Sequence, residues 1–210
     1  MTMISLQGIT KYYGEHKVLE ELSFELHDKE ALAVVGESGC GKTTLLRIMA
    51  GLDLDYEGAV MKDGSDIRKL EPNKRDMALV YQEPALWNHM TVEENIRFGA
   101  GKNDKGLKEK IGYVGERLEI GHLLSRRPHE ISGGQAKRVS LARALVSHKQ
   151  ILLLDEPLTN IDREMRERVM TFLEEEYLGK RTIVFVSHDM DEVSRLCGRR
   201  IILDTSLKVE

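Results

Sequence analysis

Ala31-Leu32-Ala33-Val34-Val35-Gly36-Glu37-Ser38-Gly39-Cys40-Gly41-Lys42-Thr43-Thr44 is the stretch whose reading decides the fold. The first five residues are apolar and short enough for a strand buried on both faces. They run directly into a G-x-x-x-x-G-K-[ST] loop from Gly36 to Thr43, and residues from Thr44 through Ala50 have helical character. The glycines let the backbone fold close around phosphate groups, so that successive N–H groups point inward. Lys42 has the reach for β- and γ-phosphates, and the Thr43 hydroxyl is a ligand for Mg²⁺. The positive end of the following helix faces the same anion. A glycine-rich turn alone would mean little, but a strand before it and a helix after it make a phosphate site.

Outward from this loop, further short apolar runs occur at Ala78–Tyr81, Ile151–Leu154, Ile183–Val186 and Ile201–Leu203. Together with Ala31–Val35 they predict a mainly parallel sheet covered by helices on both faces. The first thirty residues alternate more, at Ile4, Leu6, Leu22, Phe24 and Leu26, which predicts antiparallel strands. The stretch between Tyr81 and Ile151 reads as mostly helical. Within it, Thr91-Val92-Glu93-Glu94 has the form of a capping box, and Ser132-Gly133-Gly134-Gln135 repeats that form ahead of Val139, Ala142, Leu145 and Val146 at helical spacing.

Ile151–Leu154 ends in Asp155-Glu156. Ligand sites of parallel sheets lie at the carboxyl ends of strands, so these two carboxylates are expected at the phosphate site. One holds the metal and its water shell, and the adjacent one is suited to polarise an attacking water as general base. A strand-capping acidic pair is commonplace when it stands alone; downstream of a phosphate loop, the catalytic reading is favoured.

Composition narrows the setting. The chain has 210 residues, 41% hydrophobic and 31% charged, enough for one sizeable core. Thirty-one basic and 35 acidic residues give a formal charge of −4, so no global basic field points to nucleic acid. Cys40 and Cys197 cannot build a disulfide framework, nothing before Ile4 reads as a signal peptide, and a reducing cytosolic location is expected. No apolar run approaches the roughly 18–20 residues of a spanning helix, so a membrane role requires docking on another protein. Glu174-Glu175-Glu176 and the lysine-rich stretch Lys102–Lys110 read as solvated surface.

A third motif separates this chain from other nucleotide hydrolases. Ile131-Ser132-Gly133-Gly134-Gln135, with Arg138 and Leu141-Ala142-Arg143-Ala144-Leu145 behind it, resembles the signature motif of ABC ATPases and lies just before the Asp-Glu strand, as in that family. Physically it is a second glycine-rich helix N-terminus. The resemblance implies a head-to-tail pair of subunits in which Ser132, Gly133, Gly134 and Gln135 of each copy close over the other's ATP. It implies further roles one residue at a time. Gln82 resembles the Q-loop glutamine that touches Mg²⁺. His188, in Val186-Ser187-His188-Asp189, resembles the switch histidine that contacts the γ-phosphate. Thr159-Asn160-Ile161-Asp162 resembles the D-loop, with Asp162 at the matching aspartate. Tyr13 resembles the aromatic that stacks on adenine, with Tyr12 beside it as the open alternative. The departures are Ile131 for the usual Leu, Thr159-Asn160-Ile161 for Ser-Ala-Leu, and Gly198-Arg199 where the family often has Asp-Arg.

The resemblance covers Ile4 to Leu203. It implies a P-loop NTPase (RecA-like) α/β core at about 1–84 and 148–210, an N-terminal antiparallel β-subdomain and an inserted helical signature subdomain at about 85–147. In this assignment Lys42, Gln82, Glu156 and His188 are catalytic, and Thr43, Gln82 and Asp155 hold Mg²⁺. Three function classes compete: a transport ATPase, a soluble ABC protein acting on ribosomes or DNA, and an unrelated P-loop kinase or GTPase. The signature argues against the third. The second usually shows fused nucleotide units or a coiled-coil insertion, which this chain lacks.

Gln82-Glu83-Pro84-Ala85-Leu86-Trp87-Asn88-His89-Met90-Thr91-Val92 and Pro128-His129-Glu130 resemble binding-protein-dependent importers, and the first segment is where a permease docks in that family. The expected system is an importer at the cytoplasmic face of the cell membrane, with permease subunits, a second ATPase subunit and a solute-binding protein. An exporter or lipid-handling system is the alternative. Trp87 is expected to be partly exposed. No C-terminal regulatory domain of the sugar-importer type is expected after Leu203, and the transported substance is not encoded here.

Overall fold

Thr2–Tyr13 (β1) and His16–His27 (β2) pair antiparallel, with Ile4 opposite Leu26, Leu6 opposite Phe24 and Ile9 opposite Leu22. The alternation slips between Leu6 and Ile9, where Gly8 takes φ +60° and the register shifts. The extra residue at this bulge is what lets Leu6 and Ile9, an odd number of residues apart, both be buried. The computed structural model describes residues 2–100 and 106–203, so part of the Lys102–Lys110 stretch lies outside the described residues.

The remaining elements are Ala31–Gly36 (β3), Lys42–Ala50 (α1), Glu57–Lys62 (β4), Ser65–Asp66 (β5), Met77–Val80 (β6), Val92–Ala100 (α2), Leu107–Arg117 (α3), Gly133–Val146 (α4), Ile151–Asp155 (β7), Arg163–Glu176 (α5), Thr182–Val186 (β8), Met190–Leu196 (α6) and Arg199–Leu203 (β9). They cluster into two compact units. One comprises Met1–Leu79, Gln150–Asp155 and Leu178–Glu210; the other comprises Val80–Lys149 and Glu156–Tyr177.

The first unit holds two sheets. The five apolar runs anticipated as strands form one sheet in the order β6-β7-β8-β3-β9, with β3 parallel to both β8 and β9 and β7 parallel to β8. Every residue of β7 and β8 is buried, which explains their uninterrupted apolar sequences. Leu32, Val34, Ile151, Leu153, Val184 and Val186 on one face share a core with Leu45, Leu46, Ile48 and Met49 of α1 and with Ile4, Leu6 and Leu26. Ala33 and Val35 alternate to the other face, against Val193 of α6.

The second sheet runs β2-β1-β4-β5. Strands β4 and β5 were not legible in the sequence. Val60 is the only fully buried residue of β4, so no alternation marks it, and its register comes from pairing with β1, Leu6 to Val60. Arg75 was also illegible. It is fully buried and donates to the carbonyls of Ile48 and Met49 at the end of α1, both at 3.0 Å, and to those of Leu70 and Arg68. The two α1 carbonyls lie at the negative pole of that helix, where a helix runs out of its own donors; that of Ile48 also accepts from the Gly51 amide at 3.1 Å. Burial pushes the Arg75 pKa down, with Tyr56 and Asp66 opposing.

In the second unit, α2 and α4 approach so closely that a Cβ on Gly99 would lie 2.2 Å from the Arg143 carbonyl. Thr91 caps α2 as expected: its hydroxyl accepts from the Glu94 amide at 3.2 Å, while its own amide donates to the Glu94 carboxylate at 2.7 Å. Asn95, fully buried, fastens the preceding loop by accepting from the Trp87 amide and donating to the Trp87 and Thr91 carbonyls. The charged surface runs are less idle than expected. Lys110 donates to the Val146 carbonyl at the end of α4, Glu175 pairs with Arg117, and Glu176 accepts from the Tyr113 hydroxyl.

Removing the Arg75 guanidinium takes a donor from four carbonyls, two of them buried at the end of α1, and leaves a cavity behind that helix. Arg75→Ala is expected to lower unfolding stability by about 2–4 kcal/mol, read as a lower denaturant midpoint.

Candidate functional site

The loop between β3 and α1 is fixed by close contacts. A Cβ on Gly36 would lie 2.4 Å from the Leu203 carbonyl oxygen and 2.6 Å from Cys40 Sγ, and one on Gly41 would lie 2.8 Å from Val18. Gly41 also takes φ +100° as the residue capping α1, so its side-chain-free backbone is required twice over. Glu37, Ser38 and Gly39 form the exposed crest, while Cys40, Gly41, Lys42 and Thr44 are buried. The Lys42 ammonium is folded back into the loop, donating to the carbonyls of Gly36 at 2.8 Å and Glu37 at 2.7 Å, with Cys40 Sγ at 3.8 Å. A buried cation at the centre of a glycine loop is the element that phosphate oxygens would meet.

Thr43 and Asp155, 112 residues apart, meet in a hydrogen bond of 2.7 Å from the hydroxyl to the carboxylate. Asp155 is 2% exposed at the end of β7, while Thr43 faces outward. A hydroxyl and a carboxylate in contact suit a hard divalent cation that keeps several waters and takes phosphate oxygens. Among the described residues no group of three or more His, Cys, Asp or Glu is placed to hold a metal ion.

His188 lies exposed on the turn between β8 and α6. Its neighbours hold that turn. The buried Ser187 hydroxyl donates to Glu192 at 2.6 Å and accepts from the Asp189 amide at 3.0 Å, and Asp189 caps α6 through the Asp191 amide at 2.9 Å. At the end of β1, Tyr12 and Tyr13 are both exposed. Tyr13 is anchored: its hydroxyl donates to Asp53 at 3.2 Å, and the Lys11 ammonium lies 4.9 Å from its ring centre. Lys11, 3% exposed, pairs with Asp53 at 3.0 Å and Asp55 at 3.1 Å. Burial opposes both charges, yet the contacts outweigh it, raising the Lys11 pKa and lowering that of Asp53.

The other unit carries the remaining positions. Ser132 caps α4, its hydroxyl accepting from the Gln135 amide at 3.3 Å while its own amide donates to the Gln135 side chain at 2.9 Å. Ser132 and Gly133 are exposed. The two glycines differ: a Cβ on Gly134 would come within 2.8 Å of the Asn160 carbonyl, whereas one on Gly133 would meet nothing. Gly134 is therefore explained by packing within the chain, and Gly133 is not. Gln82 donates to the Glu156 carboxylate at 3.3 Å. Glu156 takes φ +45°, a conformation costly for a residue with a side chain and often found at functional turns. Asp162 caps α5 by accepting from the Met165 amide at 3.0 Å.

Trp87 is half-buried, in agreement with the expectation of partial exposure. The Arg143 guanidinium lies 4.7 Å from its ring centre and donates to the Ala85 carbonyl at 2.7 Å, while Phe98, 61% exposed, packs at 4.3 Å. Burial lowers the Arg143 pKa, with Tyr81 opposing. Sequence reasoning noticed Arg143 as part of a motif but not its contact with Trp87, because nothing in the spacing pairs residues so far apart.

Comparison with known proteins gives a consistent result. The family model described as ABC transporter matches residues 19–159. The sn-glycerol-3-phosphate import ATP-binding protein of Cereibacter sphaeroides is 38% identical over 211 residues, which cover 99% of this chain and 60% of that protein. The sulfate/thiosulfate import ATP-binding protein of Yersinia pseudotuberculosis is 40% identical, covering 95% and 57%. The xylose/arabinose import ATP-binding protein of Haloferax volcanii is 39% identical, covering 97% and 55%. The chain thus spans 55 to 60% of the length of these curated relatives. Among solved structures, a dimeric bacterial ABC transporter cassette superposes with a TM-score of 0.83 at 29% identity, covering 96% of this chain and 94% of that one. A nucleotide-free ATP-binding cassette gives 0.82 at 25% identity, covering 97% and 88%.

The unequal glycines are testable by thermal or chemical unfolding. Gly134→Ala forces Asn160 to move and is expected to cost about 1–3 kcal/mol, whereas Gly133→Ala, with open space at the Cβ, is expected to leave stability nearly unchanged.

Proposed function

The chain belongs to the ABC transporter family, and from that premise we propose that it is an ATP-binding and ATP-hydrolysing subunit that energises solute import through a separate permease. The observation that carries the ATPase reading is the Thr43–Asp155 contact beside the buried Lys42, which joins the phosphate loop to a strand-end carboxylate. The import reading is supported by the printed functions of the relatives, several of which are import ATP-binding proteins.

In this reading the amides of Gly36 to Thr44 and the Lys42 ammonium bind the β- and γ-phosphates of ATP, and Tyr13 stacks on adenine. The carbonyls that hold Lys42 are neutral, so anionic phosphate oxygens are its stronger acceptors. Mg²⁺ would be held by Thr43, Asp155 and Gln82, and when bound it neutralises phosphate charge. Glu156 orients water and takes its proton as the water attacks the γ-phosphorus. The bond to the β-phosphate oxygen breaks, leaving ADP and inorganic phosphate. His188 contacts the γ-phosphate from the same chain. Ser132 and Gly134 of a second copy face it from the other side, with Asp162 at the same interface. The exposed Ser132–Gly133 corner, and the absence of any in-chain need for Gly133, support a use of that corner by something outside the chain. Catalysis of this type is chiefly positioning and electrostatic stabilisation.

Among the described residues no helix is long and apolar enough to cross a membrane. In the proposed reading the subunit lies at the cytoplasmic face of the cell membrane, held there by permease subunits that contact the Trp87 region. A solute-binding protein completes the importer, and it and the permease select the cargo.

Glu156→Gln is expected to reduce ATP turnover by on the order of a hundredfold or more while ATP still binds, measured as steady-state phosphate release alongside calorimetry. Lys42→Ala is expected to weaken ATP binding itself, and undiminished affinity would contradict its phosphate role. Affinity purification of the tagged chain in mild detergent tests the transport reading. Recovery of a permease and a solute-binding protein is expected; a permease with a large periplasmic domain of its own would indicate export or lipid handling.

A further inference from the structure

A short relay of hydrogen bonds runs from α4 to the turn that carries Glu156. Lys137 is 3% exposed, and its ammonium donates to the hydroxyl of Thr159. That hydroxyl donates in turn to the Glu156 carbonyl at 3.0 Å, and the Thr159 amide reaches the same carbonyl at 3.4 Å. On the other side of this turn, the Asn160 carbonyl is packed against Gly134 so tightly that no Cβ fits between them. The segment from Glu156 to Asn160 is therefore gripped at two points by the first turns of α4, through Gly134 and through Lys137.

The grip falls where the backbone needs it. Glu156 and Asn160 both have positive φ, at 45° and 61°. Asparagine tolerates that region and glutamate does so poorly, so the Glu156 conformation persists only if its surroundings enforce it. Removing an ammonium from water is unfavourable unless good hydrogen bonds compensate, and an apolar side chain of similar length would fill the space without that penalty. A lysine here is thus better explained by what its nitrogen holds than by the volume it occupies.

We infer that Lys137 and Thr159 are positioning residues for Glu156, fixing the left-handed turn that aims its carboxylate. The inference rests on the reading of Glu156 as the general base. Both act through the Glu156 backbone. Because Lys137 belongs to the same helix as Ser132, the group that aims the carboxylate is rigidly joined to the helix N-terminus offered to the second copy.

The test is steady-state ATP hydrolysis by the full chain, with ATP affinity by calorimetry and melting temperature as controls. Lys137→Met and Thr159→Val are each expected to lower kcat on the order of tenfold to a hundredfold, as small misplacements of a reacting group do. ATP affinity is expected to change by less than about twofold, since binding groups are untouched. The double variant is expected to be no slower than the slower single one, because both break one relay. Thr159→Ser, which keeps the hydroxyl, is expected to restore the parental kcat. Parental turnover in folded Lys137→Met or Thr159→Val, with Glu156→Gln inactive, would overturn the inference and leave the Glu156 assignment standing. Parental turnover in Glu156→Gln would remove both. Should Lys137→Met fail to fold, equal rates for Thr159→Val and Thr159→Ser would by themselves overturn the inference.

Discussion

The register of the parallel sheet is the constraint on which everything else in the site depends. Val34 of β3 and Asp155 of β7 are both partnered with Val186 of β8, so these three residues of adjacent strands lie level with one another. Two residues beyond Val34 the chain enters the phosphate loop at Gly36; two beyond Val186 stands His188; one beyond Asp155 stands Glu156. A slip of one residue in any of these pairings would move the strand's side chains to opposite faces and break the Thr43–Asp155 contact. The register is enforced by burial, because every residue of β7 and β8 is inside. The apolar core thereby does chemical service: it sets the heights at which the polar groups leave the sheet.

Polar groups then secure what the core cannot. The end of α1 is held by a buried guanidinium, Arg75, whose acceptors are carbonyls. Tyr13 is steadied by a lysine shared between two aspartates, and the turn bearing His188 by Ser187 and Asp189. The exposed Tyr13 and the turn bearing the exposed His188 are thus each backed by less exposed hydrogen-bonded neighbours, an arrangement that fixes orientation while leaving the outer face open.

Much of this was legible in the sequence for identifiable reasons. The parallel strands announced themselves because strands buried on both faces must be apolar throughout, and the helix starts at Thr91 and Ser132 because capping requires particular residues three apart. The phosphate loop was legible because close backbone approach demands glycine. Strands β4 and β5 were not, since a half-exposed strand with one fully buried residue carries no pattern of its own and takes its shape from β1. Arg75, Asn95 and Lys137 were hidden for another reason: a polar residue in a polar-looking segment gives no sign that the chain will fold over it. The positive φ of Glu156 was equally invisible, because it is not an angle that a glutamate side chain prefers.

The chain contains a single tryptophan, and it sits in the Gln82–Thr91 loop under the Arg143 guanidinium. Intrinsic emission excited at the indole band is consequently a signal from one place. With one part of the ring facing water and a cation close to the other, its wavelength and intensity respond to local polarity and to the distance of that charge. The molecule thus carries its own optical probe on the segment that follows Gln82, with no label needed and no second indole to obscure it.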